Sequence, residues 1–253
     1  MKVGKAKADN RATWIRVAVL ASAVGALEIA CRVGWVPATM VIAPSAMVKA
    51  LIETLQSDDI GAHLQQTLSA VAIAMGLSIV GGFLIGFVLH WVPFLRRAFN
   101  PFLAAYYAIP HFAFYPLLIL GPAPLIVLAT LFAMVAMIVA TMAGLDRVPR
   151  VLLKTARMHR LSLLEEIWRI RLPAAAPHLL SGVKLAVAYS FIGVIAGEFI
   201  LSTSGIGHEI AYAYDNFDNP RMYALILFVL AIVTCFNMAV YAYERRLARR
   251  RGA

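Results

Sequence analysis

Apolar positions run along this chain in long uncharged blocks, separated by short clusters of charge. Trp14–Cys31 is apolar except for Arg16 near its start and Glu28 near its end. Ile60–Leu95 contains no Asp, Glu, Lys or Arg, and neither does Ala98–Leu145, a run of 48 residues. A membrane-spanning helix needs about 20 mostly apolar residues. The longer run therefore fits two spans, divided where Gly121-Pro122-Ala123-Pro124 punctuates the helix. Leu185–Gly197 is short, but Lys184 and Glu198 at its ends can reach outward along the helix to the interface. Met222–Tyr243 completes the series. The blocks predict six helices, at roughly 14–33, 64–90, 101–120, 125–145, 178–200 and 222–243. The expected layout is a basic tail over 1–13, a six-helix membrane domain over 14–247, and a second basic tail over 248–253.

Composition supports this. Hydrophobic residues make up 62% of the chain and charged residues 14%, against about 25% charged in soluble domains. Mean hydropathy is +0.79. There is too little polar surface to cover a water-facing globule, which excludes disordered, disulfide-rich secreted and nucleic-acid-binding classes. The net charge of +10 is a matter of topology. With the N-terminus inside, 19 of the 23 basic residues fall on the cytoplasmic side and only Arg32, Lys49 and Arg221 outside. That is a strong positive-inside bias, with both termini cytoplasmic. Cys31 and Cys235 show no metal or CxxC spacing and read as small buried hydrophobes.

The longest inward loop, 146–177, carries a pattern of its own. Val151-Leu152-Leu153, Ala156 and Met158 suggest that helix four continues past the membrane. Ser162-Leu163-Leu164-Glu165 fits a capping box, with Ser162 at the N-cap and Glu165 three residues on. Leu163, Leu164, Ile167 and Trp168 recur at helical spacing and form one apolar face, and Glu165 can pair with Arg169 four residues later. Pro173 is expected to end this short helix. From the residues alone, the helix either lies on lipid or docks a partner.

The stretch Lys154-Thr155-Ala156-Arg157-Met158-His159-Arg160, followed by Ile170-Arg171-Leu172-Pro173, resembles the EAA loop of ABC importer permeases. Pro173 falls at the expected twentieth position counted from Lys154. Leu27-Glu28-Ile29, Ala43-Pro44-Ser45 with Val48, Pro110, Pro116-Leu117-Leu118 and Gly205-Ile206-Gly207 also resemble the nitrate, sulfonate and taurine type of these permeases. The likeness covers about residues 25–247. It implies the all-α type I ABC importer (MetI-like) permease fold, in the inner membrane, as a homodimer. It implies a periplasmic binding protein outside and a cytoplasmic ATPase dimer inside. The permease itself would hold no cofactor, ATP and Mg being bound by the ATPase. The ATPase-coupling residues would be Lys154, Ala156, Arg157, Arg160, Ser162, Leu163, Leu164, Glu165, Ile167, Trp168, Arg169 and Pro173. The solute would be a small anion moved inward by alternating access. Two positions depart from the family pattern: Lys154 stands where it has Glu, and Arg160 where it has Gly. Gly there suits a left-handed helix cap, and a non-Gly residue costs about 1–2 kcal/mol.

Expected span three is rich in aromatics. Tyr106, Tyr107, His111, Phe114 and Tyr115 either line a translocation path or serve packing and the interfacial aromatic belt. Glu28 and Glu198 are read as structurally paired, Gly76, Gly81, Gly82 and Gly86 as points of close helix approach. No Walker A loop, HExxH or G-x-S-x-G occurs, so no catalytic or metal-binding set is assigned. The rival classes are a channel-like or structural membrane subunit and a membrane-embedded enzyme. The EAA-like loop argues against both.

Overall fold

The computed structural model describes residues 3–37, 40–56, 60–106 and 124–250, with side chains described between Trp14 and Ala242. Every element among them is helical: α1 (Val3–Val33), α2 (Pro44–Leu55), α3 (Ile60–Trp91), α4 (Pro93–Tyr106), α5 (Pro124–Asp146), α6 (Arg150–Met158), α7 (Leu163–Glu166), a π-helical turn (Ile167–Arg171), α8 (Leu172–Leu201), α9 (Ile206–Asp215) and α10 (Asn219–Arg250). Five stretches are long and apolar enough to cross a membrane: Trp14–Val33, Ile60–Trp91, Pro124–Asp146, Leu163–Leu201 and Asn219–Ala242. The third expected span, 101–120, lies mostly outside the described residues. The chain divides into a smaller unit, Met1–Ile60 with Glu209–Leu230, and a larger one, Gly61–His208 with Ala231–Ala253.

Two expectations about the 146–177 loop are corrected. Helix four does not continue: α5 stops at Asp146, and α6 starts separately after Pro149. Pro173 does not end the short helix either. The π-helical turn leads from α7 into α8 without a break, so the fifth span begins at Leu172 rather than near residue 178. Pro173 occupies the first turn of α8. The wider π turn just before it gives room where the proline ring would press on the carbonyl four residues back.

The larger unit is held together by small residues. Lipid provides no hydrophobic drive between helices, so close backbone approach has to supply packing energy. On α8, Gly182 meets Ala140, Gly193 meets Ala129 and Gly197 meets Leu125 of α5, while Ala175 and His178 meet Gly144. Partner numbers fall as those on α8 rise, so the two helices are antiparallel. Gly82 of α3 lies against Met134 and Met137, and Gly86 against Ile138 and Thr141, so α3 runs parallel to α5. Of the expected glycine contacts, Gly82 and Gly86 are tight, Gly81 approaches only the Met134 sulfur, and Gly76 faces open space. Ala70, Val71, Ala74, Ala129, Val187, Phe191 and Val194 fill the core. The buried hydroxyls of Ser78, Thr141 and Ser190 donate to carbonyls of Met75, Met137 and Ala186 in their own helices. They need no water.

In the smaller unit, α1 and α2 are joined by Glu28. Its carboxylate accepts bonds from Arg32 Nε at 2.6 Å, the Ser45 amide at 3.0 Å and Ser45 Oγ at 2.7 Å. The N-cap of α2, Ala43, offers no side chain for the first-turn amides. Glu28 supplies that acceptor from another helix, as the structural pairing expected. Tyr223 OH donates to the Met40 carbonyl, and Arg221 pairs with Glu209, both at 2.6 Å. Cys31 is half-buried, but Cys235 is exposed on its helix, against expectation.

The glycine geometry sets one prediction. A Cβ at Gly86 would stand 2.7 Å from the Ile138 carbonyl oxygen, whereas one at Gly76 would meet nothing within 4 Å. Gly86→Ala should cost about 1–3 kcal/mol as overpacking, and Gly76→Ala should be neutral, measured as thermal unfolding in detergent.

Candidate functional site

The segment from α6 to the start of α8 assembles most of the residues of the predicted coupling surface. Ala156 is fully buried, and Leu153, three residues earlier, packs against Leu145, Val148 and Ala175. Ala156 is thus a packing residue, while Lys154 and Arg157 on the same helix are exposed. Helix α6 ends in a Schellman arrangement. The Leu161 amide donates to the Ala156 carbonyl at 3.1 Å and the Arg160 amide to the Arg157 carbonyl at 3.0 Å. Arg160 stands at φ +52, the left-handed conformation the family's glycine would adopt freely. The turn is built in the usual way and tolerates the strain.

The capping box is present. Ser162 Oγ accepts from the Glu165 amide at 3.4 Å, and Glu165 Oε2 accepts from the Ser162 amide at 3.0 Å. Glu165 and Arg169 pair at 3.6 Å on the surface, a contact of little energy but some orientation. Leu163, Leu164 and Trp168 are 58%, 69% and 70% exposed and form an apolar knob. Ile167, expected on the same face, is only half-exposed, because the π-helical turn begins there and shifts the register. Pro173 is exposed beside the knob's root.

Arg171, part of the Ile170-Arg171-Leu172-Pro173 stretch, is an anchor. Its guanidinium pairs with Glu166 at 2.6 Å and lies 4.6 Å over the Trp91 ring of α3. Nearby, Asp146 at the end of α5 accepts from Arg96 at 2.9 and 2.5 Å and stands 3.0 Å from His90 Nδ1. None of these pairings has a local sequence signal.

At the other end of α8, Glu198 does not reach outward to the interface as expected. It is 0% exposed. Its carboxylate accepts from Thr67 Oγ1 at 2.8 Å and from the Gly207 amide at 3.0 Å. The Ile206 amide donates to Thr67 Oγ1 at 2.8 Å, and the Gly205 amide to His63 Nδ1 at 3.0 Å. Gly205-Ile206-Gly207 is thereby explained. Gly205 has φ +99, and a Cβ there would strike the Glu198 carboxyl group, while a Cβ on Gly207 would strike the Ile195 carbonyl. Of the predicted path residues, Tyr106 is half-buried and donates to the Leu131 carbonyl at 2.5 Å. Tyr107, His111, Phe114 and Tyr115 lie outside the described residues.

Residues 78–249 match the family of binding-protein-dependent transport system inner membrane components. The chain belongs to this family. It is a permease, the transport subunit of an importer in the inner membrane. Among its relatives is an ABC transporter permease of Haemophilus influenzae, 30% identical over 182 residues, covering 70% of this chain and 74% of that one. Another, from Bacillus subtilis, is named for aliphatic sulfonates transport (SsuC). It is 25% identical and covers 99% and 93% of the two chains. In fold, the permease resembles a chain of the MetNI methionine ABC transporter in an inward-facing conformation. The TM-score is 0.67 at 17% identity, over 76% of this chain and 99% of that one. The predicted type I importer fold is therefore found.

Substitutions at two positions test the site's geometry. Arg160→Gly should hold stability within about 1 kcal/mol, and Arg160→Val should lose about 2 kcal/mol, since a β-branched residue fits the left-handed region poorly. Glu198→Ala leaves the Thr67 hydroxyl and the Gly207 amide without their acceptor and should cost roughly 1–3 kcal/mol. Both are read as shifts of thermal unfolding in detergent.

Proposed function

We propose that two copies of this permease form the membrane pathway of an ATP-driven importer, each docking a cytoplasmic ATPase on the segment from Lys154 to Pro173. ATP and Mg belong to the ATPase. The observation that carries this reading is the exposed apolar knob of Leu163, Leu164 and Trp168 on a firmly braced base. A helix that merely rests on lipid needs no fixed orientation. Here the capping box, the strained Arg160 turn and the Arg171 anchor fix it from three sides. Arg157, Arg160 and Arg169 ring the knob with positive charge, complementary to an acidic rim on a partner. Lys154 in place of the family's Glu suits the same charge.

The bias of Lys and Arg supports cytoplasmic termini and places the 154–173 segment inside. A binding protein would deliver solute to the opposite side. The name of the sulfonate-transport relative supports a small anion of the sulfonate, taurine or nitrate kind. Within the spans, half-buried Lys184 of α8 lies 5.5 Å over the Tyr241 ring and is a fixed cation that such a solute could meet.

Replacing two knob residues tests docking. Leu164→Ala with Trp168→Ala should weaken ATPase association by about 3 kcal/mol, roughly a hundredfold in Kd, with membrane insertion intact. Co-purification from membranes measures it. Unchanged association would make the helix an interfacial one and refute docking.

A further inference from the structure

Resting on that docking reading, we infer that Arg171 is a positioning residue that ties movement of the docked knob to the inner end of α3, through its stacked contact with Trp91. Four observations converge on it. First, Arg171 closes the π-helical turn, the one non-α stretch in the otherwise α-helical run from Leu163 to Leu201. Such turns carry an extra residue and are frequent at functional sites. The turn separates knob from span, so a register shift there changes how one drives the other.

Second, the side chain of Arg171 is largely buried, 15% exposed, and its partner Glu166 is 14% exposed. Glu166 lies one turn back, on the knob's own helix. The pair closes on Glu166 Oε1 through both Nε, at 2.7 Å, and a terminal nitrogen, at 2.6 Å. The guanidinium is thereby tied to the knob's own helix.

Third, the guanidinium lies over a ring of α3. The guanidinium carbon stands 4.6 Å from the centre of the Trp91 ring, and Trp91 is the last residue of α3. Trp91 is itself wedged by Phe87 at 6.0–6.1 Å spacing along a row with Phe83, and by His90 edge-on. A partly desolvated cation–π contact of this kind is both attractive and directional. Fourth, the neighbouring residue His90 reaches Asp146, the last residue of α5, which Arg96 holds with two bonds. The inner ends of α3, α4 and α5 are thus linked in one charged cluster, and Arg171 is where the knob joins it. A Lys at 171 would keep the charge and lose the flat face.

The test uses the full permease with its ATPase in lipid vesicles, with Cys31 and Cys235 replaced by Ala and one cysteine placed at exposed Thr203, beyond the far end of α8. The readout is the change in maleimide labelling rate at position 203 on trapping with ATP and vanadate. ATPase co-purification and hydrolysis are measured alongside. Trp91→Leu should retain association and hydrolysis within about twofold and lose about fivefold or more of the nucleotide-driven labelling change, the size of a typical coupling term; Arg171→Ala should lose as much of that change per bound ATPase. Arg171→Lys should recover part of it. A labelling change as large as in the native complex would overturn the inference. So would a loss that merely parallels loss of ATPase binding. The Leu164→Ala, Trp168→Ala variant separates the two levels. If it still binds the ATPase, docking itself is wrong; if it releases the ATPase while Arg171→Ala signals normally, only the role of Arg171 falls.

Discussion

A bilayer interior provides no water for an unpaired polar group, and each such group costs several kcal/mol there. This permease meets that constraint at one buried helix start, and repeats the device at an exposed one, with carboxylates from other helices. Glu28 of α1 receives the first-turn amide of Ser45 in α2. Glu198 of α8 receives the first-turn amide of Gly207 in α9. The N-terminus of a helix is a natural seat for an anion, because its free amides and dipole both favour negative charge. Each acid thus answers two problems together: its own charge and the orphan amides of a short helix. The short helices are fixed in place because the acids need them.

Once the ends are satisfied, the larger unit packs through small residues. Gly182, Gly193 and Gly197 let α8 lie directly on α5. The segment from α6 to the π-helical turn obeys a different logic. It shows an exposed apolar knob, a non-glycine residue at positive φ and a π-helical turn within a few residues of each other. Strain of this kind persists only where the surroundings enforce it, and it gathers at working sites. The Schellman bonds, the capping box and the Glu166–Arg171 pair are that enforcement.

Much of this was legible from residue order, for reasons that differ by scale. Spans follow from the length of uncharged runs, and the Ser162–Glu165 box from a spacing of three, both local signals. The left-handed turn at Arg160 could be anticipated only because family members carry glycine there. Pro173 misled because a proline has one signature whether it follows the end of one helix or opens the next. The π-helical turn has no signature of its own, so Ile167 was placed on the knob when the register had already shifted. Glu198 is paired, as its sequence context suggests, but its burial is illegible for another reason. Its partner Thr67 lies 131 residues away, and no local pattern shows that a helix start will stand over it. The Arg171–Trp91 contact, 80 residues apart in sequence, escaped for the same reason.

The continuity from Leu163 to Leu201 decides how force can travel. A helix that stopped at Pro173 would attach the knob to the spans by a flexible link, and push would be lost in the link. The observed path has no such gap. Beyond the π-helical turn, α8 lies against α5 from Ala175 to Gly197, about 33 Å at 1.5 Å per residue. Bending α8 along that length would pull glycines away from α5 at several points, each a packing loss with no solvent gain in lipid. The α5–α8 pair therefore moves as one body more cheaply than it bends. Compliance remains at the π-helical turn, where the ladder is already irregular, and Arg171 spans that turn. Under the proposed docking, a rigid pair with an irregular turn beside the knob would convert a small displacement of the knob into a tilt of the whole pair, carried to the Glu198 anchor at its far end.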